Sequence, residues 1–152
     1  MAARTFRVTI LNNTTHVWDR DNFGLMAGIW SGTAIPSEHV PRFGFDGEGN
    51  PVPGVDWFQS DSDGILTGTE GFVDYLTQGI AGTLHIHWNN PFSGHNSFTA
   101  SGPLQFNYFW GDPGGNDARI TLRIERRMGD LREKTEAEVA SSRTASKTIK
   151  LP

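Results

Sequence analysis

The sequence contains no cysteine. This absence excludes disulfide bonds, thiolate metal sites and cysteine nucleophiles. It does not fix the compartment, because a chain that needs no disulfide can also be exported. The 152 residues suit one domain, and a domain of this size buries about two-thirds of the surface of its unfolded chain. The fold therefore needs no covalent cross-link.

Long apolar runs are also missing. The run GLMAGIW is far shorter than the roughly 20 apolar residues of a membrane-spanning helix. The opening MAARTFRVTILNN alternates apolar and polar positions, and no apolar core of a secretory signal follows it. We therefore expect a protein that is soluble as made and is either cytoplasmic or exported by a non-classical route. Such a protein meets membranes through its surface.

Positive charge is scarce, since the formal net charge is −4 and the sequence pI is about 5.7. A chain of this charge is a poor partner for the phosphates of nucleic acid. The sequence has no G-x-S-x-G elbow, and GDPGGND lacks the lysine and the following helix of a phosphate-binding loop. We expect no nucleic-acid partner, no cofactor, no catalytic residues and no enzymatic activity.

Aromatic side chains and period-two alternation are abundant, with five tryptophans, ten phenylalanines and 18 glycines. Four segments place apolar side chains on one face and polar side chains on the other, which is typical of half-buried antiparallel strands. Their apolar positions are Phe6, Val8 and Ile10; Leu84, Ile86 and Trp88; Leu104, Phe106 and Tyr108; and Ile120, Leu122 and Ile124.

Turn sequences such as DGEGNP, SDSDG, NNPFSG and GDPGGND separate the strand candidates. Weaker candidates are GLMAGIWS, VDWFQS and GTEGFVDYLT. Seven or eight short strands joined by such turns predict an all-β fold, an antiparallel β-sandwich, over residues 1–127. Residues 128–152 are charged and contain no aromatic residue, so we predict a mobile or weakly helical tail there.

Three of the five histidines lie in HIHWNNPFSGHN, residues 85–96. His85 and His87 point the same way on a strand, a spacing that suits zinc or iron with His95 as a third ligand. Solvated histidines on the outer face explain the pattern more simply. The acidic turns at 46–50 and 61–63 lack the full ligand series of a calcium loop. We therefore predict no metal site.

Several large aromatic side chains fall where strands end or turns begin. In LMAGIWS, Trp30 lies on the face opposite Ile29, so it points outward if the face of Ile29 is core. Trp18 lies in a polar segment typical of a loop, Phe92 lies in a turn, and Trp110 precedes GDPGG. Exposed aromatic residues mark a binding surface. The alternative is that these rings cap the ends of the sandwich.

The order of these features is similar to that of a known family. A strand ending in asparagine, FRVTILNN, precedes AGIWSG, SDSDGILTGTEGFVDY and HIHWNNPFSGHNSFT, and an antiparallel strand closes the domain. Over residues 4–126 the chain resembles the aegerolysins, small acidic β-sandwich proteins of fungi and bacteria. The resemblance implies an actinoporin-like sandwich that recognises membrane sphingolipids, with sterol in some members. In some members a larger perforin-like partner makes the pore.

The resemblance also implies lipid-binding residues in three segments. These are the tryptophan of the second strand, the GTxG-like segment, and the Trp-Asp-x-Pro-aromatic segment, in which asparagine replaces aspartate here. The matching positions are Trp30, Glu70, Trp88, Asn89, Pro91 and Phe92. Trp18 and Trp110 are additional candidate aromatic contacts.

The leading hypothesis is a sphingolipid-recognition protein that targets a two-component cytolysin. The net charge of −4 disfavours anionic membranes and favours zwitterionic sphingolipids. A strand stands where a pore former would need a detachable amphipathic helix, so we expect no lysis by this protein alone. Two alternatives stay open: a carbohydrate-binding lectin, since aromatic rings stack on sugars, and an assembly protein whose tail docks on another chain.

Overall fold

The computed structural model describes residues 3–127. The tail predicted for residues 128–152 therefore lies outside the described residues.

Strands dominate the described part of the chain, in which no residue is helical. In chain order the strands are β1 Thr5–Asn13, β2 Trp18–Ala27, β3 Ile29–Trp30, β4 His39–Val40, β5 Gly44–Phe45, β6 Pro51–Val52, β7 Gly54–Asp61, β8 Thr69–Leu76, β9 Leu84–Asn90, β10 Ser97–Ser101, β11 Phe106–Phe109 and β12 Asp117–Arg126.

Two five-stranded sheets carry the fold. Sheet A has the order β11-β12-β1-β7-β3, sheet B has the order β10-β9-β8-β2-β4, and β5 and β6 form a separate hairpin. The predicted all-β sandwich is confirmed. One pairing departs from the predicted antiparallel arrangement: β12 is antiparallel to β11 but runs parallel to β1 along its length, from Thr5 opposite Asp117 to Asn13 opposite Glu125.

The alternating residues form the core between the sheets. Phe6, Val8 and Ile10 are fully buried on β1, and the predicted apolar positions of β9 and β12 are buried as well. Each such side chain contributes about 1.5–3 kcal/mol when fully removed from water. Leu104 is the exception, because β11 begins only at Phe106 and Leu104 lies in the preceding turn, 75% exposed.

The chain changes sheet at Gly28, between β2 in sheet B and β3 in sheet A. Gly28 has a φ of 89°, a conformation that favours glycine. A Cβ here would also collide with the carbonyl oxygen of Asp61 and lie 2.6 Å from the Thr69 Oγ1. The alternation breaks at this point, so Ile29 is 49% exposed and Trp30 packs against the core. The predicted outward orientation of Trp30 is wrong.

The prediction that Trp18 lies in a loop, available for contact, is also wrong. Trp18 begins β2, is fully buried, and packs edge-on against Phe106 with 5.1 Å between ring centroids. The polar residues after Trp18 suggested a loop. They are accommodated by an irregularity in the pairing of β2 with β8 between Arg20 and Phe23.

Gly71 on β8 lies under the Trp88 indole, and replacing it should destabilise the fold. A Cβ at Gly71 would lie 2.8 Å from the Trp88 Cε2 and 2.7 Å from the Leu25 Cδ2. We expect Gly71→Ala to lower the free energy of unfolding by about 1–3 kcal/mol through overpacking, as measured by urea denaturation. Gly24→Ala on the paired strand is the control, since its Cβ would meet only the Phe72 Cε1, at 3.5 Å. Equal effects of the two substitutions would contradict this account.

Candidate functional site

Three loops meet at one end of the sandwich, and Arg4 ties two of them together. We call this region the loop end; it comprises residues 62–68, 91–96 and 111–116. The Arg4 guanidinium donates from Nε to the carbonyl oxygen of Pro91 at 2.9 Å and from Nη2 to that of Phe92 at 2.7 Å. Its Cζ lies 5.1 Å from the centroid of the Phe92 ring. The backbone N–H of Arg4 donates to the Ser62 Oγ, 3.1 Å away.

Two asparagine side chains brace the third loop. The buried Asn90 Nδ2 donates to the carbonyl oxygens of Thr5 at 3.0 Å and Asn116 at 2.9 Å. The Asn96 Nδ2 donates to the carbonyl oxygens of Pro113 at 2.6 Å and Gly115 at 2.7 Å. These bonds join segments far apart in sequence, so the loop end is a preorganised surface.

The loop end encloses a polar cavity of about 320 Å³. Arg4, His95 and Asp112 line it, together with Asn96 and backbone at Gly114–Gly115. Within residues 3–127, neither His95 nor Asp112 takes part in an ion pair. The cavity therefore offers a cationic donor, an imidazole and a carboxylate to a ligand.

Exposed apolar side chains lie in two of the three loops of the loop end. Ile65 is 87% exposed, Leu66 is 67% exposed and Phe92 is 43% exposed. The loop carrying Ile65 and Leu66 meets the Phe92 turn at Gly68, where a Cβ would lie 2.7 Å from the Pro91 Cα. Leu66 also has a φ of 60°, which is unusual for a branched side chain.

The sequence patterns did not single out Ile65 and Leu66 as candidate site residues. The available signal was the pair of apolar residues inside the turn sequence SDSDGILTG, where a turn would ordinarily carry small or polar side chains.

Glu70 and Asn89 lie beside the loop end, on the outer face of sheet B. They are directly opposite each other on β8 and β9 and both are half-buried. The Glu70 carboxylate is hydrogen-bonded to the His87 Nε2 at 2.7 Å. The structure thus brings Glu70, Asn89, Pro91 and Phe92 into one neighbourhood, as their assignment to a single site requires.

Trp88 does not belong to this exposed set. It is fully buried, and its indole N–H donates to the Ser60 Oγ at 2.9 Å. Its ring lies 5.1 Å from the Phe58 ring and 6.0 Å from the Trp30 ring. The assignment of Trp88 as a lipid contact is therefore corrected: parity places it in the core. Trp30 is half-buried against the Trp88 ring, and its role as a lipid contact stays a prediction.

Trp110 is 39% exposed and packs edge-on against Phe98 with 5.5 Å between ring centroids. The partial exposure leaves one side of the indole available at the start of the 111–116 loop. Its role as an aromatic contact stays a prediction.

The histidines of β9 have carboxylate partners in addition to solvent. The His85 Nδ1 lies 2.5 Å from the Asp74 Oδ1, and His87 is bonded to Glu70. Among the described residues, no group of three or more histidine, aspartate or glutamate side chains is placed to hold a metal ion.

The 46–50 segment is a turn stabilised by its own aspartate. The Asp46 carboxylate accepts hydrogen bonds from the backbone N–H groups of Asn50 and Glu48, both at 2.9 Å. These bonds, that from Asn50 first, hold the pKa of Asp46 below its usual value. Turn formation thus accounts for this acidic segment.

Replacing Arg4 should loosen the 91–96 turn without unfolding the sandwich. We expect Arg4→Ala to speed amide hydrogen exchange in that turn, because two carbonyl partners and the ring contact are lost together. Arg4→Lys should rescue it poorly, since lysine cannot reproduce the forked pair of donors.

Arg119→Ala is the control, because Arg119 pairs with Asp117 on the outer face of sheet A. Exchange measured by mass spectrometry should be unchanged in the turn for this variant. Unchanged exchange in Arg4→Ala would show that the turn is held by other contacts.

Comparison with known proteins places the fold but not a family. No protein-family model matches the chain. An uncharacterized protein of Dictyostelium discoideum is 33% identical over 118 residues, which is 77% of this chain and 10% of that protein. The chain thus spans about a tenth of the length of the curated relative it matches.

Two solved structures are similar in fold. The lipid binding protein Nakanori superposes with a TM-score of 0.62 at 12% identity, over 83% of this chain and 73% of that one. IP-1A from Alcaligenes faecalis superposes with a TM-score of 0.55 at 14% identity, over 83% of this chain and 93% of that one. At such identities the likeness concerns the β-sandwich alone. The described residues include no helix long and apolar enough to cross a bilayer.

Proposed function

We propose that this protein is an aegerolysin-like lipid-recognition protein that binds membrane surfaces through the loop end. The observation that carries the proposal is the exposure of Ile65 and Leu66 in a loop that packs, through Gly68, against the turn whose Pro91 lines the polar cavity. We call Ile65 and Leu66 the apolar tip. An apolar tip together with charged side chains matches the profile of a bilayer surface, which changes from polar headgroups to hydrocarbon over a short depth.

The apolar tip supplies the binding energy in this proposal. Burying an exposed isoleucine or leucine side chain in an apolar phase contributes about 1.5–3 kcal/mol. Ile65, Leu66 and Phe92 together therefore suffice for reversible attachment. The bracing of the loop end by Arg4, Asn90 and Asn96 lowers the entropy cost of presenting these side chains.

The polar cavity supplies headgroup selectivity. Arg4 and His95 are suited to a phosphate, and Asp112 is suited to an amine on the same headgroup. Glu70 and Asn89 lie close by as further polar contacts. A headgroup with both charges fits this lining better than an anionic one, and the net charge of −4 acts in the same direction. The cavity therefore favours zwitterionic headgroups. Among lipids with such headgroups we propose sphingolipids because of the resemblance to the aegerolysins, with sterol as a modulator of their packing.

The sandwich topology supports targeting of membranes without autonomous pore formation. β1 lies in the centre of sheet A, paired on both sides by β12 and β7. Releasing it would break the core, so it is not a detachable segment. We propose that any membrane damage requires a larger perforin-like partner. Nakanori, a lipid binding protein of similar fold, supports lipid recognition on this sandwich, and we propose no catalytic step.

Charging the apolar tip should abolish attachment. We expect Leu66→Glu and Ile65→Glu each to weaken binding to sphingomyelin–cholesterol vesicles by about tenfold or more, because each loses apolar burial and adds a charge to desolvate. Leu104→Glu is the matched control. Leu104 is 75% exposed and lies at the opposite end, where Gly102 approaches the Leu84 Cα at the start of β9. Vesicle sedimentation that shows the same loss for Leu104→Glu would refute the assignment of the tip.

Lipid composition should decide binding. We expect the wild-type chain to sediment with vesicles of sphingomyelin and cholesterol and to stay in the supernatant with phosphatidylcholine alone. Dye-filled vesicles of the first kind should remain intact. Equal binding to both compositions would remove the sphingolipid claim, and dye release by this protein alone would contradict the need for a partner.

A further inference from the structure

The outer face of sheet A carries an exposed tryptophan away from the loop end. Trp57 on β7 is 46% exposed. Thr9 lies directly opposite it on β1, five residues beyond Arg4. At about 3.4 Å per strand residue, the indole stands roughly 17 Å from the loop end.

Fixed polar side chains line one side of this indole. The Arg7 guanidinium lies over one face of the Trp57 ring, with its Cζ 4.5 Å from the ring centroid, so that face is already covered. The Arg7 Nε donates to the Gln59 Oε1 at 2.9 Å. The Gln59 Nε2 in turn donates to the Asp61 Oδ1 at 2.9 Å. The row Arg7–Gln59–Asp61 therefore holds a guanidinium, an amide and a carboxylate in set positions.

Apolar groups line the other side. Val55, 50% exposed, precedes Trp57 by two residues on the same face of β7, and the half-buried Leu11 is directly opposite Val55. The indole thus lies between the hydrogen-bonded row of Arg7, Gln59 and Asp61 and the apolar side chains of Val55 and Leu11.

We propose that this face, centred on Trp57, is a glycan-binding site that takes a neutral hexose or N-acetylhexosamine. A pyranose presents C–H groups on one face, and these would stack on the indole face opposite Arg7. Its adjacent hydroxyls pair with planar groups that offer two hydrogen-bonding atoms, and an N-acetyl methyl would meet Val55 and Leu11. Arg7 lies over the ring, and Arg119 and Arg123, which lie on this face on the paired strand β12, are paired with Asp117 and Glu125. With Asp61 close by, the positive and negative charges on the described part of this face balance, so no anionic ligand is favoured.

The site is independent of the proposed lipid site. It lies on the side of the sandwich, so a glycan could occupy it while the loop end contacts a bilayer. The same domain would then bind a membrane lipid and, at the same time, a sugar that projects from that membrane.

The test is binding of the full chain to an immobilised array of neutral hexose and N-acetylhexosamine oligosaccharides. We expect selective binding that Trp57→Ala weakens by about tenfold or more and that Trp57→Phe partly restores. Phe45→Ala is the matched control, because Phe45 is an exposed aromatic residue, 69% accessible, on the separate β5–β6 hairpin. Circular dichroism verifies that each variant is folded.

The outcomes separate this proposal from the lipid function. Glycan binding lost in Trp57→Ala but kept in Leu66→Glu, with vesicle binding showing the reverse, supports two sites. Absence of any array binding overturns the glycan proposal and leaves vesicle binding untouched. Glycan binding that Trp57→Ala does not change, or that Leu66→Glu abolishes, also overturns it. A wild-type dimer that Trp57→Ala converts to monomers in sedimentation would assign the face to a second copy instead.

Discussion

The Trp88 indole connects the two sheets close to the loop end. It projects from sheet B, packs against Phe58 and Trp30 of sheet A, and donates its N–H to Ser60 on β7. The Thr69 hydroxyl donates to the same Ser60 oxygen at 2.7 Å. A buried indole N–H without this acceptor would cost about 1–3 kcal/mol, and Gly71 leaves the room that the ring needs. The separation of the sheets at this end depends on that arrangement.

The loop end continues this buried layer outward. Asn90 follows the buried Trp88 by two residues on the same side of β9, so its amide also points inward. There it bonds to backbone carbonyl groups from both β1 and the loop before β12. The Arg4 guanidinium then stabilises the turn after β9 by donating to the carbonyl oxygens of Pro91 and Phe92. A rigid base of this kind allows exposed apolar side chains to be held in place, although folding alone gives them no stabilisation.

The two proposed surfaces differ in the physics of recognition. At the tip, Ile65 and Leu66 offer nondirectional apolar area, which suits a fluid lipid phase. On sheet A, Trp57 lies beside polar groups whose positions are set by mutual hydrogen bonds, which suits a ligand with hydroxyls at defined angles. Strand geometry separates the two surfaces, so each can be occupied without the other.

Alternation in the sequence determined which side of most strands is buried. The core positions Phe6, Val8, Ile10, Ile86 and Leu122 follow from it, because a side-chain period of two admits only one buried face on a strand. Turn-forming residues located most of the ends of strands. The class of fold and the exposure of Phe92 in a turn followed from the same two signals.

Tertiary structure decided where the alternation breaks and which loops meet. The sheet change at Gly28 turns Trp30 inward, and the irregular pairing of β2 lets Trp18 enter the core behind a polar sequence. Alternation correctly placed Trp88 on the core face, whereas the family resemblance implied that it contacts lipid. Long-range contacts, such as those of Arg4 and Gly68 with Pro91, bring the loop of Ile65 and Leu66 against the Phe92 turn. Local patterns carry no information on such long-range contacts, since these depend on how the two sheets pack.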